Sequence, residues 1–166
     1  MEDVLAVGLR LVVCGSAVGA RSAVVRSYYA GPGNRFWPTL FHVGLTPRQL
    51  GASEYRLLLQ FGIGLTDLVK DQVGGDAAIR FGGADRDRLR ATILRYQPRY
   101  LGFNGKRAAQ AFFGRRRVDY GGQKERIGAT SLFVAPSTST AAGAFWDLAR
   151  WQELADVVRG RPGAGA

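Results

Sequence analysis

Four short apolar runs constrain this chain more than any other feature, because each meets a polar or glycine-rich exit before residues with helical spacing resume. Leu9 to Cys14 is the first, and it ends in Gly15-Ser16-Ala17-Val18-Gly19. Phe61 to Thr66 is the second, a short strand interrupted by glycine. Arg99 to Phe103 and Ser131 to Ala135 follow, the last leaving through Pro136-Ser137-Thr138-Ser139-Thr140. Apolar runs of this length suit strands buried on both faces. Helical patterns lie between them. Thr46-Pro47 offers a capping threonine with proline at the first helical position, and Glu54 to Gln60 continues in helical style. Asp85 to Arg95 sets Leu89, Ile93 and Leu94 on one stripe among charges, and Pro98 ends it. Asn104 is positioned to cap a helix through Phe113, and a last helix spans about Gly143 to Val158. Alternating strands and helices predict a three-layer α/β/α fold around a central, mainly parallel sheet of four to five strands. A single domain over 1–159 and a flexible tail over 160–166 are expected.

In such a fold the ligand sits beyond the carboxyl ends of the strands. Those ends are Gly15 to Gly19, Thr66-Asp67, Asn104-Gly105-Lys106 and Pro136 to Thr140, which is where the chain concentrates glycine, serine and charge. Downstream of the first strand, Tyr28-Tyr29-Ala30-Gly31-Pro32-Gly33-Asn34-Arg35-Phe36-Trp37 combines glycines with aromatic rings. Glycine lets backbone N–H groups approach a ligand closely and an aromatic ring stacks on a flat one. Asn34 also suits a cap for a helix over Arg35 to His42. The glycine-rich Asp71 to Gly83 segment is expected to be a mobile loop.

Composition removes several function classes. With 46% hydrophobic and 11% aromatic residues the chain can build a core and is not a disordered segment. No apolar run approaches the ~20 residues of a membrane span, and Met1-Glu2-Asp3 lacks the basic start of a secretory signal. Cys14 is the single cysteine, so a disulfide framework or a multi-cysteine metal site is excluded, and a cytoplasmic location is expected. Ser137 and Ser139 have no histidine partner in any plausible motif, because His42 is the only histidine; a serine-hydrolase triad is excluded. The net charge of +10, carried mostly by arginine, favours a polyanionic partner such as nucleic acid. Arg115-Arg116-Arg117 reads first as a solvated charge run.

Five motifs in order give the chain a family likeness. Glu2-Asp3-Val4-Leu5 leads into Gly8-Leu9-Arg10-Leu11-Val12-Val13-Cys14-Gly15; Asn34-Arg35-Phe36-Trp37, Gly64-Leu65-Thr66-Asp67-Leu68-Val69, Phe103-Asn104-Gly105-Lys106 and Pro136-Ser137 follow. On these residues the chain resembles the mismatch-specific uracil-DNA and thymine-DNA glycosylase family of the uracil-DNA glycosylase superfamily. The resemblance implies the same fold, cleavage of the bond between a flipped base and its deoxyribose, and action on DNA containing uracil or mismatched and deaminated bases. It also implies a monomer without metal or cofactor, working at the bacterial nucleoid.

Carried over residue by residue, the resemblance makes Tyr29 the ring that stacks on the flipped base. Ser16, Ala17, Ser22 and Asn34 become base-pocket residues, Ser22 lying near the pyrimidine 5-position. Ser137, Thr138, Ser139 and Thr140 take the position of the wedge inserted into the duplex, and Lys106 and Arg107 that of phosphate contacts. Two departures stand out. The family motif after the first strand is Gly-Ile-Asn-Pro-Gly, whose Asn positions the attacking water; here the third residue is Ala17. The motif after the last strand, Asn-Pro-Ser-Gly, has lost its Asn to Ala135. Either catalysis is lost or another group activates water, and Asp67, at a strand's carboxyl end, is the candidate catalytic residue. Its alternative role is to cap a following helix. The competing function is a non-catalytic binder of damaged DNA on the same scaffold.

Overall fold

A computed structural model describes residues 1–160. Five strands form one sheet in the order β2-β1-β3-β5-β4. β1 (Leu11–Gly15) lies between β2 (Ile63–Asp67) and β3 (Tyr100–Asn104), both parallel to it, and β5 (Thr130–Ala135) extends the parallel set from β3. β4 (Gly121–Ile127) pairs antiparallel with β5 at the edge. The expected mainly parallel sheet is therefore present, with the fifth strand supplied by a hairpin.

Strand β1 feeds both faces. From β1, Leu11 and Val13 enter one core with Phe36, Leu40, Leu58, Trp151 and Leu154. Val12 and Cys14 enter the other with Leu89, Ile93, Phe103 and Phe112. The first face is covered by α2 (Phe36–His42), a 3-10 segment over Ala52–Phe61 and α5 (Leu148–Val158). The second is covered by α3 (Gly83–Tyr96) and α4 (Lys106–Phe113). A further short helix, α1 (Ala20–Val25), follows β1. Cys14 is fully buried and its thiol is pushed up by burial, as befits a small core residue. Among the described residues no helix is long and apolar enough to cross a membrane.

Several local expectations are corrected. Thr46-Pro47 starts no helix: the Thr46 hydroxyl donates to the Arg48 carbonyl at 2.8 Å and closes a bend. Phe61-Gly62 ends the preceding 3-10 segment, Gly62 closing it at φ 72°, so the strand begins only at Ile63. The last helix is split, a 3-10 turn over Thr140–Phe145 preceding α5, whose start is capped by Asp147 accepting from the Ala149 N–H. Asn104 does not cap α4; Gly105 fills that position at φ 108°. The tail expected over 160–166 lies outside the described residues from 161 onward.

Candidate active site

Strand register builds the site. Gly15 and Asp67 are partners at the ends of β1 and β2, and Asn104 and Ala135 at the ends of β3 and β5. Chain leaving β2 is tied to chain leaving β1, the Leu68 and Val69 N–H groups donating to the Gly15 and Ser16 carbonyls at 2.8 Å each. The four parallel strands thus open into one cleft of about 790 Å³, lined from their exits by Gly15, Asp67, Asn104 and Ser137. Asp67 caps nothing, because the chain after it runs as a loop until α3.

Asp67 is the buried carboxylate of this cleft. It is 2% exposed, and burial pushes its carboxyl up to about 6, the Lys70 ammonium opposing the rise and Asp3 adding to it. Its Oδ2 is buried and accepts no hydrogen bond among the described residues; Lys70 Nζ stands 3.7 Å away. The Tyr29 hydroxyl is likewise buried without a partner, and burial followed by the Asp67 charge pushes it well above the usual phenol range. An unpaired buried polar atom costs about 1–3 kcal/mol. The two side chains meet at one corner: a Cβ at Gly15 would stand 3.1 Å from Asp67 Oδ1 and 3.3 Å from the Tyr29 hydroxyl. Glycine there lets carboxylate and phenol share the space.

Tyr29 lines the cleft in the left-handed region, at φ 54°, a conformation that a bulky residue adopts only when its surroundings enforce it. Enforcement comes from Phe36, on which the ring stacks at 3.9 Å and 29°, with Phe36 set edge-on to Trp37 and Trp151. Packing and cleft-lining are one arrangement here. The Trp37 and Trp151 indoles donate to the Tyr28 and Pro136 carbonyls at 3.1 and 2.9 Å, pinning both loops that border the cleft.

The remaining sequence candidates divide. Ser16, Ala17, Ser22 and Asn34 all line the cleft. Ser22 Oγ accepts the Ala30 N–H at 3.0 Å and Asn34 Oδ1 the Phe36 N–H at 3.0 Å; Arg35 fills the N-cap position of α2, so Asn34 stands one residue ahead of the cap expected of it. Ser137, Thr138 and Ser139 line the cleft, whereas Thr140 lies outside its lining and donates to the Pro32 carbonyl at 2.9 Å. Lys106 and Arg107 are not brought to the cleft: the Lys106 ammonium lies 4.3 Å from the centre of the Tyr120 ring and the Arg107 guanidinium 5.4 Å from that of Phe81. His42 ends α2 at the surface.

Four features were not singled out as site residues from the sequence. Asn104 lines the cleft with its amide turned to Thr138, donating to Oγ1 at 2.9 Å and accepting from the N–H at 3.0 Å. Its place at a strand's carboxyl end was the signal. Gly74 to Ala78, from the glycine-rich loop, form one wall, and Phe145, 71% exposed, stands at the rim. Asp3 and Lys70 form an ion pair behind Asp67, and nothing in their sequence spacing announces it. Among the described residues no three His, Cys, Asp or Glu side chains converge to hold a metal ion.

A family model for the uracil DNA glycosylase superfamily matches residues 2–155. Among solved structures, the solution NMR structure of a candidate uracil DNA glycosylase from Methanosarcina acetivorans is similar over 96% of this chain and 96% of its own, with a TM-score of 0.64 and 20% sequence identity. At that identity the likeness establishes the fold.

Proposed function

This chain belongs to the uracil DNA glycosylase superfamily, and from that premise we propose that it is a monofunctional glycosylase of the mismatch-specific branch, hydrolysing the N-glycosidic bond of a flipped-out uracil. The observation that carries this reading is the buried Asp67 carboxylate at the base of the cleft, with Oδ2 unpartnered. Flipping costs a few kcal/mol, least for a mismatched base, and stacking against Tyr29 returns about 1–3 kcal/mol. In the reaction a water held by Asp67 attacks C1′ while the C1′–N1 bond breaks. The bonding electron pair leaves with the pyrimidine, whose developing negative charge is met by backbone N–H groups near Ser16 and Tyr29. The proton lost by the water passes to the carboxylate and then to the departing base, yielding free uracil and an abasic deoxyribose. The same carboxylate faces the positive charge that develops on the sugar.

Asp67 works in this scheme as a carboxylate, so the rate should rise with pH through about 6. Of the loop after β5, the more exposed Ser139 and Thr140 would enter the duplex beside the flipped base, Thr138 being buried. The enzyme acts as a monomeric single domain in the cytoplasm, at the nucleoid, and needs no cofactor. Ala17 and Ala135, where the resembling family carries asparagines, favour one rival: a binder of damaged DNA that has lost the chemistry.

Single-turnover assays on uracil-containing single strands and on G·U and A·U duplexes separate the two. We expect uracil release, reduced at least ~100-fold in Asp67→Asn, with DNA affinity kept within about threefold. Tight binding of uracil DNA by folded protein, without release from any substrate, would sink hydrolysis and leave the binder.

A further inference from the structure

The cleft's charge balance reaches beyond the strand exits to the first residues of the chain. Val4 pairs antiparallel with Leu65 of β2, their N–H and carbonyl groups exchanging two hydrogen bonds of 2.8 Å. The Tyr28 hydroxyl donates to the Glu2 carbonyl at 3.0 Å and fixes the segment from its other side. Between these anchors Asp3 is carried to the back of Asp67. Its Oδ1 accepts from Lys70 Nζ and from the Thr66 hydroxyl, both at 2.7 Å, and its Oδ2 lies 4.0 Å from the Arg88 guanidinium.

Lys70 could serve either carboxylate. It stands 2.7 Å from Asp3 but 3.7 Å from Asp67, which is an ion pair beyond hydrogen-bond reach. Arg88 donates to the backbone carbonyls of Asp67 and Leu68 at 2.7 and 2.9 Å, so it supports the chain there without touching the Asp67 carboxylate. The other groups near Asp67 are the Tyr28 and Tyr29 hydroxyls, the Cys14 thiol and the more distant Met1 ammonium. Burial holds the first three neutral across the working range, so besides the Met1 ammonium the charges acting on the Asp67 carboxyl are Lys70 and Asp3.

We propose that Asp3 is a positioning residue of the cleft: it draws Lys70 onto its own carboxylate and withholds a full counter-charge from Asp67. The inference rests on the reading of Asp67 as the water-activating group. A carboxylate in direct contact with ammonium is a poor proton acceptor, because its charge is already neutralised. With no partner at all, a buried carboxyl would stay protonated near neutrality. The shared lysine sets Asp67 between these limits, ionised at working pH yet still basic.

Opposite substitutions should therefore move Asp67 in opposite directions. In Asp3→Asn the repelling carboxylate is gone and Lys70 is released toward Asp67, so its titration midpoint falls by roughly one pH unit. In Lys70→Gln the midpoint rises by a similar amount, while Lys70→Arg and Asp3→Glu stay near the parent. Carbon-13 NMR of aspartate-labelled full-length protein reads the Asp67 carboxyl directly, with Asp67→Asn assigning the resonance. The acidic limb of the uracil-release profile should follow the same shifts. An Asp67 midpoint that stays put in folded Asp3→Asn and Lys70→Gln, or moves the same way in both, overturns the proposal. A parental rate in Asp67→Asn would instead overturn the catalytic reading, whatever the NMR midpoints show.

Discussion

At the scale of single residues, Asp67 ties stability to pH in a direction opposite to most carboxylates. Its folded value, about 6, lies above the ordinary carboxylate value of about 4, so the folded state binds the proton more tightly than the unfolded chain. The stability this confers is fully present below pH ~4 and is lost as pH rises through about 6, an effect on the order of 3 kcal/mol. Asp67→Asn should escape that loss. Its melting temperature should exceed the parent's by several degrees at pH 7.5, with the gap closing toward pH 4 in paired thermal melts. An equal gap at both pH values would mean that the carboxylate's ionisation is not what strains the fold. Asp67 could be picked out in the sequence because a charged residue directly follows an apolar strand. Its partner Asp3 could not: burial and the edge pairing of Val4 bring the two together, and neither leaves a local pattern.

At the scale of elements, the loop after β5 depends on Asn104. Its amide makes two bonds to Thr138, which is 1% exposed, and both would be left open in Asn104→Ala. The expected cost is about 2–4 kcal/mol, with much faster hydrogen exchange at the Thr138 amide than at the β1 amides. Unchanged exchange at Thr138 would show that the loop is held by other means. The sequence suggested a cap for Asn104 because asparagine before a helix usually is one; here β3 keeps it in the sheet and Gly105 makes the turn. The parallel strands were legible as continuous apolar runs. β4 was not, because Gln123, Lys124, Glu125 and Arg126 alternate between exposed and half-buried at an edge, and its pairing shifts register between Gly122 and Arg126. Thr46-Pro47 misled for the reverse reason, a helix-start signal used to close a bend.

For the whole molecule, the excess of +10 favours DNA, but the topology decides which charges meet it. α4 starts beside the cleft and runs back along the sheet for eight residues, roughly 12 Å, so Arg115-Arg116-Arg117 emerge toward the end remote from the cleft. Arg115 is paired there with Glu125. Replacing all three with glutamine should leave the slope of log affinity against log salt for a uracil-containing duplex within about one of the parent, whereas three lost phosphate contacts would flatten it by nearly three. A slope flattened by that much would place this run on the DNA. By itself the sequence determined the layered α/β plan, the end of the sheet that holds the cleft, and Tyr29 and Asp67 as its candidates, because burial patterns and strand exits are local properties. Only the tertiary structure decided that Gly15 leaves room for both, that Asn104 holds the adjoining loop, and that Asp3 shares Lys70 with Asp67. Those relations join residues far apart in the chain, through register and burial that no single segment encodes.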